Sequence, residues 1–334
     1  MFAVSSSSYS HPGRAIMQRS VALRAKLKRP KPKHRPDQSE YTVADFCHDV
    51  TYHQIRCGKN KGIKIKMFKD INDSPYFGEP NIQALQKNRD EQVEDLRDLP
   101  GAVIHARTFS VDDPEAIGWQ RIKDVVAKEG IVTFRGADES VISKARKELA
   151  EFDPSEHYWD IFMADAAAIR DVCSRVASMP LPAGLVRMAD DGITAKLARQ
   201  VQHFLNEHGV SPFSIPALLG QLFDAKLVVL MNSNDQIAAA GFAAMTHNRH
   251  SSFAGTAWVG LIAVDPALRG KGLGKQVDAI CNLAAVDELG ASATMEFVAR
   301  DNIPSRAMLE GCGLRHVEGK SVAMFSRSAD RITR

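Results

Sequence analysis

Two periodicities alternate along most of this chain. Apolar residues recur every three or four positions in "DPEAIGWQRIKDVVAKEG" (113–130), "DESVISKARKELAEF" (138–152) and "DAAAIRDVCSRVAS" (165–178), the spacing of helices with one buried face. Between them, "GAVIHARTFS" (101–110), "IVTFRG" (131–136) and "HYWDIFMA" (157–164) are short β-branched and aromatic runs that predict strands. Residues 101–183 therefore read as a βαβαβα series, enough for a small α/β layer, with no catalytic constellation in it. "MPLPAG" (179–184) then interrupts the pattern with two prolines and a glycine and marks a boundary. A fragment beginning near Leu181 is expected to fold alone.

Beyond the boundary the series resumes with strand "LVRMA" (185–189), helix "ITAKLARQVQHFLNEHG" (193–209) and a helical stretch at "SIPALLGQLF" (214–223). Strands "KLVVLMN" and "QIAAAGFAAMTH" follow, joined through the turn "SNDQ". "AWVGLIAV" (257–264) has no polar side chain apart from its indole, as expected of a central strand buried on both faces. Leu273, Val277, Ile280 and Ala284 place one stripe of the next helix on the sheet, and Gly290 closes it. Strand "ATMEFVA" (293–299), helix "IPSRAMLEGCG" (303–313) and strand "SVAMFSR" (321–327) complete the chain. The fold class is α/β (α+β): a mixed central sheet flanked by helices over 184–328, preceded by the smaller domain at 101–183. Residues 41–100 are less regular, with an alternating strand at "GIKIKMF" (62–68) and a charged helix at "NIQALQKNRDEQVEDLRDL" (81–99).

Charge adds a basic tail, residues 1–40, to this picture. Its first 36 residues hold nine of the 43 Lys and Arg and none of the 40 Asp and Glu, so the remainder is net acidic and gives no reason to expect nucleic acid as a partner. The tail is Ser-rich, Arg-rich and acid-free, the composition of a mitochondrial transit peptide; the alternative is a disordered basic extension of a cytoplasmic protein. The apolar runs fall far short of the roughly 20 residues that span a bilayer, so no membrane is expected. The odd set Cys47, Cys57, Cys173, Cys281 and Cys312 suggests no disulfide framework. Cys47, His48, His53 and Cys57 lie close together without the paired spacing of zinc ligands, and no metal is expected.

The chemistry gathers at "DPALRGKGLG" (265–274). Three glycines between a buried strand and a helix suit an anion cradle: backbone N–H groups converge at a helix N-terminus, and Arg269, Lys271 and Lys275 add positive charge. A dinucleotide fingerprint on Gly270 and Gly272 needs glycine where Lys275 stands. A P-loop ending on Gly274-Lys275 needs glycine at Arg269 and Ser or Thr at Gln276. Both readings fail.

Arg269-Gly270-Lys271-Gly272-Leu273-Gly274 resembles the R-x-x-G-x-G signature of the GNAT acyl-CoA N-acyltransferases. Downstream, Asn302, Ser305, Leu309, Glu310 and Gly313 match the N-x-x-S-x-x-x-L-E-x-x-G pattern of the branch that includes the ribosomal-protein alanine acetyltransferases. The resemblance covers about 184–328. It implies a GNAT-like mixed sheet, acetyl-CoA as co-substrate, an amine as acceptor, and direct transfer without an acyl-enzyme. It further implies that strand 257–264 splays from strand 293–299 to admit the pantetheine arm. Backbone groups of Ile262, Ala263 and Val264 would bond that arm, with the Val264 N–H as oxyanion donor. The amides from Gly270 through Lys271, Gly272, Leu273 and Gly274 to Lys275 would hold the pyrophosphate, and Asn302 would fasten the cofactor.

Such transfer needs a neutral amine, a stabilised oxyanion and a proton for the leaving thiolate. Many members of the family supply that proton from a tyrosine whose place Leu309 takes here, which leaves Ser305 as the candidate acid, or as a helix-start residue only. Glu296, between Met295 and Phe297, is the candidate base, since desolvation would raise its pKa; the alternatives are an edge-facing, solvated glutamate and water-mediated deprotonation without a base. His247 and His250 are expected to be exposed turn residues near the acceptor side, and Cys281 and Cys312 buried helix residues, not nucleophiles. Two rival readings stay open: a catalytically weak acyl-CoA-binding regulatory module, and a tandem arrangement with 101–183 as a degenerate half. The acceptor, the acyl chain length and the oligomeric state are left open.

Overall fold

Local signals place the elements of the computed structural model, which describes residues 74–328. The basic tail, the "GIKIKMF" strand and the Cys47–Cys57 cluster lie outside the described residues. Helix α1 (Pro80–Arg97) precedes two short strands, β1 (Ala102–Val103) and β2 (Ser110–Val111). Then come α2 (Pro114–Ile117), α3 (Trp119–Glu129), β3 (Ile131–Ala137), α4 (Glu139–Glu148), β4 (Ser155–Asp165) and α5 (Ala166–Ala177). The rest is β5 (Leu185–Arg187), α6 (Ala195–Glu207), α7 (Ile215–Leu218), β6 (Ala225–Asn232), β7 (Ile237–Met245), β8 (Thr256–Val264), α8 (Leu273–Asp287), β9 (Ala293–Val298), α9 (Ile303–Gly311) and β10 (Arg315–Ser326).

Most helices start where a short polar side chain caps the first free amides. Asp113, Asp138, Asp165, Thr194, Ser214 and Asn302 each accept from amides in the following turn. Helix α8 has no such cap: its N-cap is Gly272, with no side chain to offer.

All ten strands of the described residues form one mixed sheet, in the order β1-β2-β3-β10-β4-β9-β8-β7-β6-β5. Helices cover both faces. Leu197, Val201 and Leu205 of α6 pack with Phe213, Phe242 and Trp258 on one side. Leu273, Val277 and Cys281 of α8 pack on Val228, Ala243 and Val259 on the other. Among the described residues, no helix is long and apolar enough to cross a membrane.

The boundary expected at 179–184 does not divide this sheet. Strand β10, from the end of the chain, runs antiparallel between β3 and β4, both from the region expected as a separate domain. The physical reason lies in β10 itself: Val322, Ala323, Met324 and Phe325 are all buried, so the strand needs a neighbour on each edge. Strand β4 also pairs antiparallel with β9, Asp160 facing Val298 and Asp165 facing Ala293. Residues 74–328 accordingly fall within one compact unit.

The fragment beginning near Leu181 is therefore expected to be insoluble or to lack a cooperative melt. It keeps β9 and β10 but loses β3 and β4, which exposes the edges and the buried face of β10 together. Soluble yield and a circular dichroism melt beside the full chain measure this. A soluble, sharply melting fragment would show that 184–328 suffices as a core.

Candidate active site

Strand β8 carries the decisive irregularity. It pairs antiparallel with β7 along its length, but the register shifts so that Leu261 and Ile262 together face the single residue Gly241. This is a β-bulge, and Leu261 takes φ 54°, a left-handed conformation that a branched side chain seldom adopts. Gly241 is required opposite it, since a Cβ there would come within 2.7 Å of Ile262 Cδ1 and 2.6 Å of Cys281 Sγ.

On its other edge β8 pairs with β9 in parallel only from Thr256 to Trp258. Past that point the two strands part, as the splay implied by the resemblance requires. A cavity of about 250 Å³ opens in the gap, bordered by Val259 to Ile262 of β8, by Glu296 to Val298 of β9, and by Asn302, Ser305 and Met308 of α9. Ala263 and Val264 do not border it. Gly260 and Leu261 do, and nothing in the sequence singled them out.

The glycine loop lies beside the outer end of this cavity. Gly270 and Gly272 have φ of 76° and 79°, and a Cβ on either would meet nothing within 4 Å. The first helical bond of α8 runs from the Gln276 N–H to the Gly272 carbonyl, so the amides of Gly270 to Lys275 have no backbone acceptor among the described residues. Arg269 and Lys271 are exposed at the loop, where Arg269 Nε donates to the Val264 carbonyl at 3.2 Å. Gly274 abuts Met308, whose Sδ lies 3.4 Å from a Cβ built on that glycine, so loop and cavity adjoin. The arrangement suits a pyrophosphate outside and an acyl arm within.

Asn302 and Ser305 divide the work at the start of α9. Asn302 Oδ1 accepts from the Ser305 N–H at 3.2 Å, which makes Asn302 the cap and leaves the Ser305 hydroxyl free to face the cavity. Leu309, at the tyrosine position of the resemblance, is buried in the cavity wall.

Glu296 is placed differently from a base reaching the acceptor. Met295 and Phe297 pack with Trp258 on the α6 face of the sheet, so the Glu296 side chain points to the α8 face, where Asn282 Nδ2 donates to its Oε1 at 2.9 Å. Burial, reinforced by the neighbouring Asp278, pushes the Glu296 pKa well up. Burial likewise pushes Asp278 up to about 6. The raised pKa was expected; the orientation was not.

This buried pair has a measurable consequence. Carboxyls that hold their protons more tightly when folded stabilise the native state at low pH, and the advantage is lost as pH rises from about 4, the unfolded value, through about 6. Asp278→Asn is expected to melt above the wild type at pH 8, by about 5 °C for ~2 kcal/mol, with the gain shrinking toward pH 4. Thermal melts across pH check this, and a gain independent of pH would refute it.

The inner end of the cavity is built from residues outside the motif-bearing half. The stretch expected as one strand at 101–110 is two short strands with a loop between them, and that loop carries His105 and Arg107 to the cavity; Arg135 arrives on β3. The region 101–183, in which the sequence shows no catalytic constellation, thus contributes polar side chains to the cavity wall. His105 Nδ1 accepts from the amides of Arg107 and Thr108 at 3.3 and 3.2 Å, which leaves the ring proton on Nε2. Burial, with Arg135 and Arg107 nearby, holds the imidazole well below its usual pKa, so it is neutral. His247 is buried, not exposed, against Phe253, and its pKa falls to about 3 through burial and the charge of Arg135. His250 lies in the exposed turn. Cys281 and Cys312 are buried as expected. Among the described residues no cluster of metal-ligating side chains occurs.

A bulged central strand parting from its parallel neighbour, beside a glycine-headed helix in a mixed sheet, is the arrangement of the GNAT class of fold. Residues 203–314 match the model of the acetyltransferase (GNAT) family, so the chain carries a GNAT acetyltransferase domain. No curated protein matches the sequence. Among solved structures, the chain is similar to a Drosophila protein at 14% identity, with a TM-score of 0.49, covering 74% of this chain and 89% of that one. It is also similar to a GCN5-related N-acetyltransferase from Kribbella flavida at 13% identity and TM-score 0.46, covering 73% and 96%. A tandem GNAT protein from the clavulanic acid biosynthesis pathway aligns at 16% identity and TM-score 0.43, covering 73% and 89%.

Proposed function

We propose that this protein is an N-acetyltransferase that moves an acetyl group from acetyl-CoA directly to an amine. The observation that carries the reading is the continuity of three features: the open glycine loop, the gap between β8 and β9, and the cavity behind it. The amides from Gly270 to Lys275 hold the pyrophosphate, and the backbone of the β8 bulge lines the acyl arm. The bulge brings the oxyanion donor to Leu261 and Ile262, nearer the cavity than Val264. Donors fixed before the reaction stabilise the tetrahedral oxyanion without reorganising.

Ser305 gives the departing thiolate its proton, directly or through water. Glu296 faces α8 and is engaged there by Asn282, so the amine loses its proton to cavity water instead. The cycle then balances: the amine nitrogen bonds the acetyl carbon, the C–S bond breaks, CoA leaves as the thiol, and the proton that water takes from the amine restores the Ser305 hydroxyl.

Calorimetric titration with acetyl-CoA, followed by an amine screen read as thiol release, tests the reading. Acceptor-dependent release of CoA supports an enzyme. Tight binding without turnover of any amine favours the regulatory module, and absence of binding removes both.

A further inference from the structure

We infer that the acceptor is an amine bearing a carboxylate, which Arg107 and Arg135 bind at the inner end of the cavity. This rests on the acetyl-transfer reading and names its substrate class.

Both guanidiniums are buried, at 6% and 3% exposure, and neither forms an ion pair among the described residues. The contrast within the molecule is Arg89, equally buried, which has Glu129 as its partner. Arg107 Nη1 donates to the Ser211 carbonyl at 2.6 Å, while its Nε has no partner. In Arg135 neither Nε nor Nη1 has one. The Trp258 indole N–H, on the same cavity wall, is also unpaired.

Rings hold these cations in place without neutralising them. Arg107 lies 5.0 Å from the Phe213 ring centroid, and Arg135 lies 5.0 Å from Phe297 and 5.9 Å from Trp258. Burial lowers the pKa of Arg107 to about 10 and, with Arg107 nearby, that of Arg135 to about 9, so both remain charged at neutral pH. The carboxylate that acts on Arg135 is Asp112, and burial raises its own pKa. Buried charges persist when something pairs with them, and guanidinium forks match the two oxygens of a carboxylate.

His105 completes the pocket as a donor, because its Nε2 carries the proton. An amine entering between the rings reaches the β8–β9 gap with its carboxylate against Arg107 and Arg135. The first half of the chain thus supplies acceptor recognition to a transfer site built by the second half.

The test uses the full chain and acetyl-CoA with paired acceptors: glycine, β-alanine and larger amino acids, each beside its amide, and O-phosphoethanolamine as a second anion. Amino acids are expected to be turned over with kcat/KM about 100-fold above their amides. Arg135→Gln is expected to raise their KM about 100-fold with acetyl-CoA affinity unchanged, and Arg135→Lys to fall between. Removing an unpaired buried charge leaves the fold intact, which a thermal melt verifies. A second readout needs no turnover: N-acetylglycine, a product of the proposed class, is expected to raise the Tm of the wild type but not of Arg135→Gln. Equal turnover of amides, preference for O-phosphoethanolamine, or no effect of Arg135→Gln overturns the inference. If acetyl-CoA does not bind, the transfer reading falls, and the N-acetylglycine shift alone decides whether the carboxylate pocket stands.

Discussion

Gly272→Glu is expected to abolish acetyl-CoA binding, weakening Kd by at least about 100-fold, while the protein stays folded. Gly272 caps α8 with φ 79°, and the space where its Cβ would stand is open for 4 Å. A pyrophosphate held by the amides of Gly270 to Lys275 would fill that space. Glutamate puts a carboxylate there, displacing the ligand by volume and repelling it by charge.

The left-handed backbone costs any L-residue at 272 about 1 kcal/mol, so the melt is expected to drop by a few degrees without losing cooperativity. Gly272→Ala separates the effects, because it shares the strain and adds a single methyl group but no charge. It is expected to bind acetyl-CoA more weakly than wild type and far better than the glutamate variant. Calorimetric titration beside circular dichroism melts resolves all three proteins. Undiminished affinity in Gly272→Glu would make "RGKGLG" an ordinary turn and remove the basis for placing the pyrophosphate there.

That loop was legible in the sequence because its physics is local. Alternating glycines, an adjoining apolar strand and a 3.6-residue stripe all sit within about 30 residues, and each constrains the backbone by itself. Asn302 and Ser305 were legible for the same reason, since a cap and its third residue form a contiguous signal. The insertion of β10 between β3 and β4 was not, because strand order is set by which buried edges meet, and periodicity carries no record of partners.

The inner pocket illustrates a second limit. Arg135 ends the apolar run "IVTF" and Arg107 interrupts "VIHARTF", within stretches that the pattern marks only as strands. The signal was the placement of cations inside otherwise apolar runs, but only the packed sheet shows that both face one cavity. The bulge at Leu261 had no sequence signal, since leucine is a poor choice for φ 54°. Gly241 on the neighbouring strand β7 faces the bulge, and a Cβ there would meet Ile262, Cys281 and Val277.

Ser305→Ala is expected to lower kcat about 100-fold while leaving KM for acetyl-CoA within a few-fold of wild type. The hydroxyl lines the cavity and makes no hydrogen bond among the described residues, and the nearby Leu309 has no proton to give. A group that protonates a leaving thiolate acts as charge develops on sulfur, so its loss appears in the transition state and hardly in ground-state binding. Ser305 does not cap α9; Asn302 does, by accepting the Ser305 amide, and that bond survives the substitution. The variant should accordingly melt within a degree or two of wild type, which rules out a structural cause for slow turnover. Ser305→Cys retains a proton donor of similar size and is expected to recover part of the rate. An unchanged kcat in Ser305→Ala would transfer the acid's role to cavity water, while a raised KM with kcat intact would show that the hydroxyl binds the thioester without assisting its departure.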